Sequence, residues 1–281
     1  MKKFLLSTVA LSGLLCANSS ISYEYGIKDY KDSASKIDGK VETLNFSHQI
    51  ANNKFILGYQ GDNVNRTINP ITGSNRDLDV EKYNVKYIYK INKDLNLNLS
   101  YLKIVDNLSP TDQGKIYGLG GNYKLSNGLS LGLGFYKSDY KTFDVNEYDF
   151  SITKGFKIDS LKLKTTLIAK RIDINGEKYG GYSFEDKDYF TTGLKVGANY
   201  NGFVAAVGAF FGKRVFTVLD SGSKVQHHAM EQDKTYMASL GKKFKNFDIM
   251  TKYSYQNGKE LPENKDNVDT KVTSISFIYK F

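Results

Sequence analysis

Tryptophan is absent from this 281-residue chain, cysteine occurs once, and proline and histidine occur three times each. Each shortage removes a class of explanation. The single thiol, Cys16, cannot form an internal disulfide, so stability must come from the pairing and packing of the chain itself. Three histidines, His48, His227 and His228, leave little material for general-base or metal chemistry. Glycine-rich phosphate loops, zinc spacings and nucleophile elbows are missing as well. Beyond the first residues no run approaches the ~18 consecutive apolar side chains of a membrane helix. Pro, Gly and Ser never gather into a tether, so the chain after its leader reads as one domain.

What is present begins at the N-terminus. Met1-Lys2-Lys3 precede an apolar run from Phe4 to Leu15 and then the small residues Ala17, Ser19 and Ser20. Basic, apolar and small in that order is the arrangement of a Sec signal peptide, and the run is too short to span a bilayer. Residues 1–19 are therefore expected to be an export signal, cleaved after Ala17 or Ser19, and 20–281 the mature domain. Acylation at Cys16 needs a small residue before it, and Leu15 stands there. The formal charge of +9 falls to about +7 without Lys2 and Lys3, leaving a basic domain of about 260 residues.

Period-two alternation runs through nearly all of that domain. Leu95, Leu97, Leu99 and Tyr101 alternate with Asn96, Asn98 and Ser100; Leu129, Leu131, Leu133 and Phe135 alternate with Ser130, Gly132 and Gly134. In a strand this puts the apolar set on one face. Connections alternate in length. Short ones fall near 51–53, 92–94, 126–128, 157–159, 201–202 and 245–246, and longer polar ones near 29–40, 62–79, 106–114, 137–143, 172–188, 214–233 and 256–269. Seven long and six short connections join about fourteen strands, the rhythm of an up-and-down antiparallel barrel with both termini in the periplasm. Pro70, Pro110 and Pro262 all fall in long connections, as a sheet without free edges requires. Counts of twelve or sixteen strands stay open, because Val215–Leu219 also alternates and is able to extend a strand.

The chain ends with Ile275, Phe277, Tyr279 and Phe281 alternating up to a terminal phenylalanine. This resembles the closing strand of Gram-negative outer-membrane porins. The resemblance implies an all-β transmembrane barrel in the cell outer membrane, with Phe277, Tyr279 and Phe281 read by the barrel-assembly machinery. It also implies a water-filled channel of the general diffusion type, monomeric or trimeric, for small hydrophilic solutes and ions. With the terminal set facing lipid, parity sends Leu44, Phe46, His48, Ile50, Tyr83, Val85 and Leu194 outward. Tyr and Phe near the short turns then form the interfacial girdle for which tryptophan is lacking.

The opposite face carries the lysines. Lys82, Lys86 and Lys90 share one strand, Lys162, Lys164 and Lys170 another, with Lys195 on a third; Glu24, Glu147, Asp149 and Asp248 are the fewer acids. Charges at the lipid midplane are costly, so these residues are expected to line the pore. Seven inner-face glycines, among them Gly118 and Gly193, are expected to leave space, and no segment is an obvious plug. A lysine-rich wall raises local anion concentration, so an anion preference is expected. Catalysis is not: His48 and Ser47 are neighbours on one strand and point apart, and His227 and His228 read as solvated loop residues. No cofactor, metal or nucleic acid is called for. The alternative is a surface-binding or adhesive barrel that acts through its long loops.

Overall fold

The computed structural model describes residues 18–67, 77–107, 110–179 and 181–281. Almost all of the expected export signal, including Cys16, and Pro70 lie outside them. In chain order the strands are β1 (Ser19–Lys31), β2 (Lys36–Ile50), β3 (Asn53–Arg66), β4 (Leu78–Lys90), β5 (Leu95–Asp106) and β6 (Lys115–Lys124). Next come β7 (Leu129–Asp139), β8 (Phe143–Ile158), β9 (Leu161–Gly176), β10 (Lys178–Tyr179), β11 (Tyr182–Ser183) and β12 (Asp188–Tyr200). The last are β13 (Phe203–Arg214), β14 (Val218–Leu219), β15 (Lys224–Val225), β16 (Met230–Lys243), β17 (Phe247–Glu260) and β18 (Lys265–Lys280). Fourteen of these close one barrel in sequence order; β10–β11 and β14–β15 are two-residue hairpins inside connections.

Every neighbouring pair in the barrel is antiparallel, and β1 meets β18 with Tyr23 opposite Phe277 and Ser20 opposite Lys280. The Phe281 N–H donates to the Ser19 carbonyl at 3.0 Å, extending that seam to the last residue. Alternation sets the faces. On β5, Leu97, Leu99 and Tyr101 are exposed outward while Asn98, Ser100 and Leu102 are buried inward. Leu57, Val85, Leu119, Leu133, Leu167, Val207, Leu240 and Phe277 continue the exposed set around the wall. An apolar band of that extent is what the hydrocarbon core of a bilayer covers. Cross-strand aromatic pairs reinforce it, Tyr101 with Tyr117 at 5.4 Å and Phe135 with Tyr148 at 5.3 Å between ring centroids.

The short turns fall where the sequence puts them. Asn201 and Gly202 both have positive φ, 49° and 82°, the geometry that lets a two-residue turn follow the twist of its strands. The long connections are shorter than expected. Those near 29–40, 137–143 and 256–269 contract to 32–35, 140–142 and 261–264 because strands run on into polar sequence. Backbone pairing needs only a neighbouring strand, not an apolar side chain, so the ladder continues past the apolar band.

The inner face has two halves. Toward the short turns it is polar. Toward the long connections Val64, Val80, Leu102, Ile104, Ile116, Val145, Ile172 and Ile174 point inward and are fully or almost fully buried. Their cover is the connection between β13 and β16, with Tyr179 and Phe184 from the connection between β9 and β12.

Candidate functional site: a hairpin across the lumen

The sequence shows no obvious plug, leaves open whether connection 172–188 or 214–233 folds inward, and allows Val215–Leu219 to lengthen a strand. In the structure connection 215–229 does fold inward, and Val215–Leu219 does not lengthen β13. Register slips between Phe211 and Arg214, β13 stops, and Phe216 adopts a φ of 53° that turns the chain inward. A bulky residue in the left-handed region needs tight surroundings to hold it. Phe216 has them: its ring lies 4.9 Å from Phe143, 5.6 Å from Tyr179 and 5.8 Å from Tyr140. Val215, Phe216, Thr217 and Val218 are essentially inaccessible.

From there β14 and β15 form a hairpin whose tip, Asp220-Ser221-Gly222, has three successive positive φ values. The tip reaches β4 and β5. In the strand order these lie six or seven strands from β13 and β16, so the hairpin crosses the full width of the barrel. Asn84 Nδ2 donates to the Ser223 carbonyl at 2.9 Å and Lys86 Nζ to the Asp220 carbonyl at 3.1 Å. On the other flank Val218 N–H donates to Glu147 Oε2 at 2.7 Å, and Lys170 Nζ donates to the Val218 carbonyl at 2.8 Å. Lys224 lies 3.6 Å from Glu24 on β1. Burial alone would lower the Lys224 pKa, but Asp220 and Glu24 hold it above its ordinary value.

The expected pore-lining lysines therefore have different occupations. Lys82 pairs with Asp62 at 2.9 Å. Lys170 is shared between Glu147 and Asp149, both at 2.6 Å. Lys86 holds the hairpin tip, and Lys195 Nζ stands 5.4 Å from the Phe210 ring centroid. Lys90, Lys162 and Lys164 are exposed near the short-turn end and form no ion pair among the described residues. The other inner acids are matched too, Glu24 with Lys252 at 2.9 Å and Asp248 with Lys280 at 2.5 Å. Nor do the glycines all leave space. Gly118 sits against the Tyr136 ring and Gly193 against the Phe210 ring, where a β-carbon would collide. Phe277, Tyr279 and Phe281 are exposed on the outer face.

A cavity remains beside the hairpin. On the side of β1–β4 and β16–β18, it encloses about 160 Å³ and is lined by Lys28, Gln60, Asp62, Lys82, Gln232, Gln256 and Thr270, with His227 and His228 from the hairpin's return. Lys28 reaches Asp62 Oδ1 at 2.5 Å while Lys82 reaches Oδ2. Lys36 pairs with Glu260 at 2.7 Å at the rim. Sequence reasoning missed Asp62 because it assigned position 62 to a loop. The parity that Gln60, Asp62 and Val64 share with the inward face of β3 was the available signal.

The loop histidines are not both solvated. His227 is completely buried, its ring 4.2 Å from that of His228, and neither of its nitrogens has a hydrogen-bond partner. Burial, and then the nearby Lys82, holds its pKa well below the ordinary histidine value; burial and His227 do the same to His228. Arg214, also missed, is buried at the hairpin's root and bonded to Gln232 at 2.8 Å and to Thr235. His48 does meet a serine, but across the β1–β2 pair: its Nδ1 lies 2.8 Å from Ser19 Oγ. No carboxylate bonds to His48 among the described residues, so the third member of a triad is missing there. The described residues also contain no cluster of three or more metal-ligating side chains.

The architecture is a closed fourteen-strand antiparallel barrel. No protein-family model and no curated protein matches the chain. Solved structures do match in fold. The toluene transporter TbuX of Ralstonia pickettii superposes with a TM-score of 0.60 at 10% identity, over 96% of this chain and 91% of that one. The CymD monoaromatic hydrocarbon channel gives 0.59 at 11%, covering 94% and 89%. The outer membrane protein Omp33 of Acinetobacter baumannii gives 0.53 at 9%, covering 93% and 98%.

Proposed function

We propose that the protein is an outer-membrane channel through which small hydrophilic solutes diffuse passively, with a preference for anions and a constriction set by the β14–β15 hairpin. The observation that carries this reading is the cavity between the hairpin and the β1–β4 and β16–β18 wall, with Lys28, Lys82, Gln60, Gln232, Gln256 and Thr270 in its lining. A closed barrel with an apolar band outside suits a bilayer, and lysine, glutamine and threonine side chains facing the lumen suit hydrated solutes. The apolar inner wall is already occupied by Phe216 and its neighbours.

Fold likeness to channels for monoaromatic hydrocarbons raises a second reading, in which an apolar substrate displaces the hairpin from that wall. The cluster of Tyr140, Phe143, Tyr179, Phe184 and Phe216 favours it, since these rings would then line the route. The adhesive alternative draws less support, because connection 215–229 turns into the barrel. The short-turn end is assigned to the periplasm, as export through the inner membrane would leave both termini there.

Anion preference rests on the exposed Lys162 and Lys164 and on the lysine excess in the cavity; Lys170 is neutralised by its two acids. Planar-bilayer recording of the refolded protein tests the proposal. Discrete conducting steps with a reversal potential displaced toward the anion potential in a KCl gradient are expected. A sealed barrel would overturn the channel, and a cation-directed potential would overturn the preference. Liposome uptake of toluene at rates above protein-free vesicles would favour the second reading.

A further inference from the structure

We infer that the cavity beside the hairpin contains a binding site for a small monoanion, chloride or a short monocarboxylate, centred on Lys28 and Lys82. The inference rests on the channel reading for its place in transport but on separate observations for its existence.

The charges do not balance. Lys28, Lys36 and Lys82 line the cavity, Asp62 is the one carboxylate among its described lining residues, and Glu260 stands behind it as the partner of Lys36. Lys36 and Glu260 satisfy each other, and Glu260 also accepts from Ser33 Oγ and the Ala34 N–H. Asp62 is left to serve two ammonium groups, one on each carboxylate oxygen, with Gln60 Nε2 also donating to it at 2.6 Å. Lys82 is almost fully buried and Lys28 nearly so, so one positive charge stands in the wall of the cavity without a counter-charge. An uncompensated charge held away from bulk water is expensive, and an anion in the cavity removes that cost.

The donors converge. Each ammonium has three N–H groups and spends one on Asp62. Gln256 accepts from Gln232 and keeps its own amide N–H groups for another partner. Two ammoniums and a carboxamide around a space of about 160 Å³ form an acceptor-seeking site. That volume equals about five liquid waters, enough for chloride or acetate with accompanying water and too little for an oligosaccharide. A single unmatched charge selects a monoanion, since a dianion would bring a surplus charge of its own. His227 and His228 add no charge while neutral, and Val225, Leu219 and Met230 form the apolar back wall.

The experiment is ³⁵Cl NMR on the full mature chain refolded in a zwitterionic detergent. Chloride exchanging with a protein site broadens the free resonance. Excess broadening that acetate displaces with a saturating profile is expected, lost by several-fold in both Lys82→Gln and Lys28→Gln. Either variant leaves Asp62 one lysine partner, so the remaining pair is neutral. Asp62→Asn, which deepens the imbalance, is expected to keep or increase the broadening wherever heat-modifiable migration shows a folded barrel. Broadening equal in wild type and both glutamine variants would overturn the site, as would acetate acting only in proportion to ionic strength. Bilayer conductance separates this from the channel proposal. A non-conducting barrel with displaceable chloride retains the site and loses the channel; a conducting barrel without it retains the channel and loses the site.

Discussion

Gly222, at the tip of the β14–β15 hairpin, lies so close to Ser100 on β5 that a β-carbon on the glycine would collide with the serine hydroxyl. The strands that carry the hairpin, β13 and β16, lie across the barrel from β5, and this contact shows that the hairpin reaches the far wall. Two requirements meet at position 222. Its φ of 93° belongs to glycine, and the Tyr136 ring closes the third side. The hairpin's docking therefore depends on a residue whose contribution is the absence of a side chain.

Gly222→Leu should dislodge the tip. Overpacking of a fitted contact costs about 1–3 kcal/mol, and the φ penalty adds to it. The barrel wall does not involve Gly222, so the variant should fold and migrate like the wild type. Single-channel conductance in planar bilayers should rise, and protease should cut within 215–229 more readily. Unchanged conductance and unchanged cleavage would show that the hairpin does not set the constriction.

Lys170 should be the strongest single anchor. It pairs with both Glu147 and Asp149 and donates to the Val218 carbonyl, while Glu147 accepts from the Val218 N–H. Lys170→Met leaves two carboxyl groups adjacent and buried, and breaking a buried ion cluster from one side typically costs about 3–5 kcal/mol. The triple variant Lys170→Met, Glu147→Gln, Asp149→Asn removes the charges together and should recover most of that loss. Urea unfolding monitored by tyrosine fluorescence measures both. A loss below about 1 kcal/mol in the single variant would mean that the cluster anchors nothing.

The barrel was legible because its code is local. Alternation such as Leu97-Asn98-Leu99-Ser100 fixes a face residue by residue, and Asn201-Gly202 fixes a turn within two positions. Parity also put Lys82, Lys86 and Lys170 on the inner face. What parity cannot carry is depth along the strand or what a loop does once it leaves the wall. Val64, Ile104 and Ile174 belong to the polar face by alternation, and their apolar character records a partner distant in sequence. Val215–Leu219 alternates like a strand because it does form one, in a hairpin paired with itself rather than with the barrel. Asp62 was hidden by the same limit: polar sequence beyond the apolar band reads as loop, whereas the strands continue there.

The last residue offers a separate test. Phe281 closes the seam by donating its N–H to Ser19, and its ring lies 5.0 Å from Tyr279, edge to face. If the terminal aromatic is the assembly signal, its deletion should reduce the folded, heat-modifiable form in outer-membrane fractions, whereas Phe281→Tyr should keep it. The loss of one backbone bond, about 1 kcal/mol, is too small to unfold a fourteen-strand ladder. Refolding in detergent should therefore succeed for the deletion, and assembly in cells should not. Wild-type assembly of the deletion variant would remove the signal from this residue.

Acid should loosen the hairpin through His227. The groups facing it are Lys82 from β4, Asp62 from β3, Lys28 from β1, Lys36 from β2 and the adjacent His228, so one carboxylate stands among three ammoniums. Its pKa is depressed when docked and would return to about 6.5 if the loop swung into water. The undocked form then binds more protons between those two values. Docking is at full strength above about pH 6.5 and weakens as pH falls below it, by up to about 1.4 kcal/mol per unit until the docked pKa is reached. Conductance should therefore increase as both chambers are taken from pH 7.5 to 5, and His227→Leu should flatten that response. Conductance that is constant over this range, or that falls with acid in the wild type and the variant alike, would sink the assignment of the switch to His227.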